Sequence, residues 1–203
     1  HPAGDPATAG AEESSGAASA GRAFLVVANA SNAQTVLDAL SGRAAGFKAT
    51  VHDDRDAYAL LAVQGPASAG ILATLTDADL AGLRYYAGLP GTVAGVPALI
   101  ARTGYTGEDG FELFVAPDHA ERLWRALTEA GDTAGLTPCG LSCRDTLRLE
   151  AGMPLYGHEL GPRLTPFDAG LGRVVKFDKA GDFVGRAALE QAAQRAESAP
   201  PRR

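Results

Sequence analysis

The segment from Arg102 to Glu159 constrains the fold of this chain more than any other part of its sequence. It begins RTGYTGEDGFELF, where three glycines and two acidic residues surround Tyr105 and a short strand would carry Glu112 away from the turn. It ends GLSCRDTLRLEAGMPLYGHE, where a helix would carry Arg144 and Arg148. Glycine permits close backbone approach, and charged side chains form directed hydrogen bonds. An ordinary surface turn has no need of this density of either.

Charge and hydropathy exclude two broad classes of protein. The net charge is −6 and no cluster of lysine and arginine offsets it, so we expect no general nucleic-acid surface. No apolar run approaches the length of a membrane span, so no membrane association is expected. The 203 residues, 46% of them hydrophobic, can bury a sizeable core in one or two domains. The chain begins with His1 rather than Met, which predicts a cut or processed piece.

The sequence predicts no metal site. Cys139 and Cys143 are the only cysteines, and no second Cys/His pair lies nearby to complete a metal centre. Their four-residue spacing could form a redox-active pair on one helix face, but the simpler interpretation is two reduced thiols, which indicates a cytoplasmic protein. Glu108 and Asp109 supply too few ligands for calcium, and two acids repel phosphate.

Composition divides the chain into three parts. Residues 1–22 are rich in Gly, Ala, Ser and Pro without hydrophobic periodicity, which predicts a disordered low-complexity loop or tail. Residues 23–190 would form one domain, and residues 191–203, ending in PPRR, a fraying helix end and tail.

Within that domain, strands and helices alternate, which predicts an α+β fold. Helices are expected to begin near Ser31, Pro66 and Asp118, and the spacing of the third predicts that Trp124 lies in the core. The short apolar or alternating runs predict strands at Ala23–Asn29, Lys48–Asp53, Tyr58–Val63, Ala98–Arg102 and Phe111–Val115.

Strand alternation separates the residues of the last predicted strand into two faces. Phe111, Leu113 and Val115 face one side, while Glu112 and Phe114 face the other. If Phe114 is covered, Glu112 is a carboxylate beside an apolar wall that must find hydrogen-bond donors. Spacing alone leaves an exposed strand carboxylate as the alternative.

Two more groups could contact a ligand or serve packing alone. Tyr105 could close one side of a flat ligand, or its ring could simply plug the turn. Arg148 and Asp145 can pair three residues apart on a helix, which is typical of a solvated ion-pair face. Arg144 lies one turn before Arg148, and since two arginines repel, one of them should find another partner.

The chain closely resembles the aminomethyltransferase of the glycine cleavage system, its T protein. Three ordered blocks carry the resemblance: the segment above, LAVQGPASAGIL at Leu61–Leu72, and TPFDAGLGRVVKFDKAGDFVGRAAL at Thr165–Leu189. It implies the folate-binding fold of that family, with mixed antiparallel sheets and packed helices, incomplete at both ends. An iron–sulfur assembly factor of the same fold would carry a cysteine-bearing GCYxGQE block, which is absent here.

The resemblance also implies roles for four residues in binding tetrahydrofolate. Glu112 matches the glutamate that binds the pterin ring. The exocyclic amine and the adjacent ring N–H of the pterin are two neighbouring donors that match the two oxygens of a carboxylate. Tyr105 becomes a pocket residue, and Arg144 matches the arginine that contacts the ligand or braces Glu112. Tyr85 matches an aromatic that packs on the folate, although the adjacent tyrosine blurs the register. Arg148 and Asp145 are left as structural.

The implied activity is transfer of a one-carbon unit from the aminomethyl-lipoyl arm of the H protein to tetrahydrofolate, with release of ammonia. The family's catalytic aspartate lies in an IDDLIVY-type block that has no counterpart here, so no catalytic residue is assigned and full activity is not expected of these residues alone. Two alternatives stay open: a folate-binding module without catalysis, and the transferase-like domain of a sarcosine or dimethylglycine demethylating enzyme. The second would need an upstream GxGxxG domain.

Overall fold

A computed structural model describes residues 23–198 of the chain. The predicted tail at residues 1–22 and the last five residues lie outside the described part. Within it, residues 23–28 and 35–153 form one compact unit, and residues 29–34 and 154–198 belong to a second. The single domain expected over 23–190 stays a prediction.

The first unit is built on a four-stranded antiparallel sheet. Its strands are β1 (Ala59–Gln64), β2 (Gly88–Val93), β3 (Val96–Ala101) and β4 (Gly110–Val115), in the spatial order β1-β4-β3-β2. A two-residue turn with positive φ at both positions, Ala94 and Gly95, joins β2 to β3, as the twist of a tight hairpin requires. β4 is therefore central, with β1 on one side and β3 on the other.

Residues 23–198 also contain five α-helices, so the expected α+β fold is confirmed. They are α1 (Ala33–Ala44), α2 (Ser68–Ala73), α3 (Ala120–Gly131), α4 (Leu141–Glu150) and α5 (Arg186–Ser198). Between residues 23 and 198, no helix combines the length and the hydropathy that crossing a membrane would demand.

The core lies between one face of the sheet and helices α2 and α3. Side chains of the central strands meet apolar residues of both helices there, and burial of this apolar area is the main stabilising contribution. The fully buried members include Leu72, Val93, Val96, Ile100, Phe111, Leu113 and Leu123.

The second unit is mostly turns, followed by α5. Its best-connected side chain is Arg186, whose guanidinium donates to the carbonyls of Phe177, Lys179 and Gly181 at 2.8–3.0 Å. The same group lies 4.6 Å from the centre of the Phe183 ring. One arginine at the start of α5 thus holds the preceding loop by several charge-assisted hydrogen bonds.

Two expectations about strands need correction, and one strand was missed. Ala23–Asn29 and Lys48–Asp53 are not strands, because no strand of the described chain pairs with either and their side chains are largely exposed. Conversely, β2 was not predicted. Its sequence, GLPGTV, contains residues that normally interrupt strands, but an edge strand tolerates proline and glycine.

The expectation that Trp124 lies in the core is wrong: the residue is 47% exposed. The buried positions of α3 are Leu123, Leu127 and Gly131, which repeat every four residues. Trp124 follows Leu123 by one position and is rotated about 100° from that stripe. Trp124 therefore lies at the edge of the buried face, where apolar spacing had predicted it to lie on that face.

The two faces of β1 predict contrasting costs for neighbouring leucines. Leu61 is 8% exposed and belongs to the core, whereas Leu60 points to the other face and is 44% exposed. We expect Leu61→Ala to lower the free energy of unfolding by about 2–5 kcal/mol. Leu60→Ala is the matched control and should cost less than about 1 kcal/mol. Urea denaturation of both variants measures the difference, and equal losses would contradict the register.

Candidate functional site

Glu112 stands on the sheet face that points away from the core, in a row of small residues. Its cross-strand partners are Ala62 on β1 and Ala101 on β3, and Gly88 on β2 continues the row. None of these has a side chain longer than a methyl group, so the carboxylate projects above its neighbours. The predicted division of β4 into two faces is confirmed, since Phe111, Leu113 and Val115 are buried in the core.

The adjacent row on the same face is apolar. Leu60, Phe114 and Leu99 lie side by side on β1, β4 and β3. Phe114 is covered, at 8% exposed, and Tyr58 meets its ring edge-on with the centroids 6.3 Å apart. A carboxylate that is flanked by small side chains and lies beside an apolar strip can bind a flat molecule that has hydrogen-bond donors along one edge.

The connection from β3 to β4, residues 102–109, is wrapped around the side chain of Gln64. The amide nitrogen of Gln64 donates to the carbonyls of Thr103 at 3.0 Å and Phe111 at 3.2 Å. A Cβ at Gly104 or Gly110 would overlap this side chain. The two glycines are therefore needed for close approach, and Gln64 sets the path of the loop.

An ion pair closes the base of the same loop. Arg102 donates from Nε to Asp109 Oδ1 at 2.9 Å and from Nη2 to Oδ2 at 2.7 Å. Its remaining Nη1 donates to the carbonyl of Leu83 at 2.9 Å. The Asp109 carbonyl accepts from the amide of Gly65 and from the hydroxyl of Ser68, which is 2% exposed. The hydrogen bonds from Arg102 hold the pKa of Asp109 below its ordinary value.

The side chain of Tyr85, rather than that of Tyr86, bonds to this loop. Its hydroxyl donates to the carbonyl of Gly104 at 3.3 Å. Tyr86 has a positive φ of 61° and is 74% exposed. Loss of water around the Tyr85 hydroxyl, a hydrogen bond with Tyr86 and the carboxylates of Asp109 and Glu112 raise the pKa of Tyr85. The phenol therefore remains protonated, and so able to donate, at neutral pH.

The two arginines of α4 have different environments. Arg144 is exposed, and its guanidinium carbon lies 4.5 Å from the centre of the Tyr105 ring, within cation–π range. Arg148 is 2% exposed and donates to Asp145 at 2.8 Å and to the Met153 carbonyl at 3.4 Å. These contacts agree with the structural interpretation of Arg148. Across residues 23–198 no hydrogen bond or ion pair joins Arg144 to Glu112.

All four candidate ligand residues therefore lie on the β3–β4 loop or border it. Tyr105 is within the loop, Glu112 follows it, Tyr85 bonds to it, and Arg144 covers the tyrosine ring. Residues 23–198 contain no group of three His, Cys, Asp or Glu side chains that could hold a metal ion.

Sequence reasoning missed the residues that shape the loop: Gln64, Arg102 and Thr103. The hydroxyl of Thr103 donates to Glu112 Oε2 at 2.5 Å. These residues could have been found only from the pairing of β1 with β4. That pairing sets Gln64 opposite Gly110 and so places a long polar side chain against a glycine. That pairing joins segments more than 45 residues apart, so composition near the motif did not reveal it.

The Arg102–Asp109 pair predicts a specific pH dependence. Because the folded-state pKa of Asp109 is lowered, the pair contributes stability that is fully present above the ordinary carboxyl value of 3.8 and is lost as pH falls through the lowered value. We expect Asp109→Asn to be less stable than the parent chain near neutral pH. This difference in the free energy of unfolding should disappear as pH falls below the lowered pKa of Asp109. Urea midpoints across pH measure it. Glu108→Gln, in an exposed position of the same loop, is the control, and a constant gap would contradict this prediction.

Comparison with known proteins relates this architecture to characterised relatives. The model of the GCVT N-terminal domain matches residues 17–179. An aminomethyltransferase from Streptomyces coelicolor is 82% identical over 179 residues, which is 88% of this chain and 48% of the relative. One from Saccharopolyspora erythraea is 60% identical over 172 residues, 85% of this chain and 47% of the relative. The chain thus spans about half the length of the curated relatives it matches.

A solved structure agrees with the sequence matches. The crystal structure of glycine cleavage system aminomethyltransferase T from Bartonella henselae superposes with a TM-score of 0.71 at 35% identity, over 82% of this chain and 44% of that one. The match of the domain model over most of the sequence, together with these relatives, settles the family. The chain belongs to the glycine cleavage T-protein family, as its motifs implied.

Proposed function

We propose that this chain supplies the folate-binding part of an aminomethyltransferase of the glycine cleavage system. The whole protein would move a one-carbon unit from the aminomethyl-lipoyl arm of the H protein to tetrahydrofolate and release ammonia. The observation that carries the proposal is the position of Glu112, a single carboxylate in a row of small residues beside an apolar row. The names of the aligned relatives support the same activity.

The donor set of a pterin ring fits this arrangement. Its exocyclic amine and adjacent ring N–H would donate together to the two oxygens of Glu112, as a charge-assisted pair. Leu60 and Leu99, on either side of the covered Phe114, would contact part of a ring face. Ala62 and Ala101 leave the space that a ring needs to reach the carboxylate.

Tyr105 and Arg144 would contribute on the loop side. The guanidinium already lies against the tyrosine ring, which restricts both groups, and it donates no hydrogen bond to another residue between 23 and 198. The donors of Arg144 therefore stay available to an anionic or carbonyl group of the ligand. Tyr85 would hold the loop through Gly104 and offer an aromatic edge.

Positioning would be the main contribution of these residues to the reaction. Tetrahydrofolate supplies the ring nitrogen that accepts the one-carbon unit. Glu112, Arg144 and the tyrosines would hold that nitrogen at a fixed place and limit access of water, which converts an encounter of two molecules into reaction within one complex. We assign no residue to protonation of the departing amine, a step that needs an acid or a bound water.

The proposal places the reaction in the cytoplasm with a lipoylated H protein as partner. Cys139 and Cys143 are both free and exposed, which supports a reducing compartment. The hydrogen bond between the two thiols raises the pKa of Cys143, so this thiol is poorly nucleophilic.

The test of the proposal is Glu112→Gln. The substitution keeps size but turns one acceptor oxygen into a donor that would face the pterin amine. We expect a loss of about 1–3 kcal/mol in the free energy of tetrahydrofolate binding, measured by titration calorimetry under nitrogen. Glu108→Gln, the same change at an exposed loop position, is the control. Unchanged affinity in a folded Glu112→Gln protein would remove Glu112 from the site.

The arginines of α4 give a second prediction. Arg144→Ala should weaken tetrahydrofolate binding by about tenfold while leaving the urea midpoint nearly unchanged, because its side chain is exposed. Arg148→Ala should cost about 1–3 kcal/mol of stability, because it removes buried packing and the bonds to Asp145 and Met153. The reverse pattern, with Arg148→Ala folded but weaker for folate, would exchange the two roles.

A further inference from the structure

The hydroxyl of Thr103 is the group in residues 23–198 that donates a hydrogen bond to the Glu112 carboxylate. From this contact we propose that Thr103 is a positioning residue, which fixes the orientation of the Glu112 carboxylate so that its free lone pairs face the pterin. The inference rests on the proposed function and assigns this residue a part in it.

Glu112 needs such a partner because its own neighbours do not restrain it. A glutamate side chain has three rotatable bonds, and fixing them costs conformational entropy. The flanking Ala62 and Ala101 are too short to hold the carboxylate from the sides. The bond from Thr103 to Oε2 therefore selects one orientation of the carboxylate plane.

Thr103 is itself held in place by hydrogen bonds of its own carbonyl and of the preceding residue. Its carbonyl accepts from Gln64 Nε2 at 3.0 Å, and the residue before it, Arg102, is anchored to Asp109 and to the Leu83 carbonyl. A β-branched side chain has few χ1 rotamers. The backbone of Thr103 is thus held by Gln64, and the side chain of the preceding residue is anchored as well, so the loop sets the direction of the hydroxyl.

The carboxylate keeps enough acceptor capacity for a ligand. An ionised carboxylate has about four lone-pair positions, and Thr103 uses one of them on Oε2. The other oxygen and the second position on Oε2 remain for a paired donor. The threonine hydroxyl has a single proton, and that proton is used in the hydrogen bond to Glu112. Thr103 therefore acts through Glu112 rather than as a donor to the ligand.

The experiment is a double-mutant cycle on the 203-residue chain with tetrahydrofolate as the probe, read by titration calorimetry. The variants are Thr103→Val, which keeps the shape without the hydroxyl, Thr103→Ser, which keeps the hydroxyl, Glu112→Gln, and the double variant of Val and Gln. We expect Thr103→Val to weaken binding roughly threefold to tenfold. Thr103→Ser should restore affinity to within about twofold, and Thr103→Val should add less than about twofold in the Glu112→Gln background.

A ligand-free crystal structure of Thr103→Val separates this inference from the proposed function and also verifies that the variant folds. The expected result is a Glu112 carboxylate turned away from its native orientation or spread over several. A carboxylate that stays in place overturns the inference whatever the folate measurements give. An equal loss from Thr103→Val with and without Glu112 also overturns it, since Thr103 would then act on its own. Failure of Glu112→Gln to change affinity would instead remove the proposed function, and the inference with it.

Discussion

The hydrogen bonds of one half-buried amide, that of Gln64, determine how the β3–β4 loop of the site is arranged. Gln64 ends β1, and its nitrogen bonds to a carbonyl on each side of the β3–β4 loop, at Thr103 and Phe111. A polar group inside a loop is costly unless its bonds are made, so the loop must follow the one path that makes them. Gly104 and Gly110 are the consequence, since any side chain there would displace the amide.

The central strand β4 combines the requirements of stability and of binding. Its residues alternate between a core that contains Phe111 and Leu113 and an opposite face that carries Glu112. The core side is closed by α2 and α3, while the Glu112 side has alanine and glycine as neighbours. Because a shift of one residue would exchange the faces, the packing of the core also determines which side chain is presented for binding.

The sequence predicted what depends on neighbouring residues and failed where distant segments meet. Alternation gave the two faces of β4, and helical spacing gave the pairing of Asp145 with Arg148, because both patterns are local. Trp124 was misplaced because spacing defines a stripe but not its edges. β2 was missed because its status as an edge strand, which permits Pro90, depends on the assembled sheet. The partners Gln64 and Phe111 lie 47 residues apart in the chain. No short motif encodes such a contact.

The half-exposed indole of Trp124 gives the chain an intrinsic optical reporter. It is the single tryptophan of the sequence, and it lies beside the buried stripe of α3. Its emission wavelength depends on contact with water at one place on one helix. Covering of that surface by another polypeptide would shift the emission to the blue, and detachment of α3 from the sheet would shift it to the red. Both events could be followed by fluorescence without a label, at concentrations too low for calorimetry.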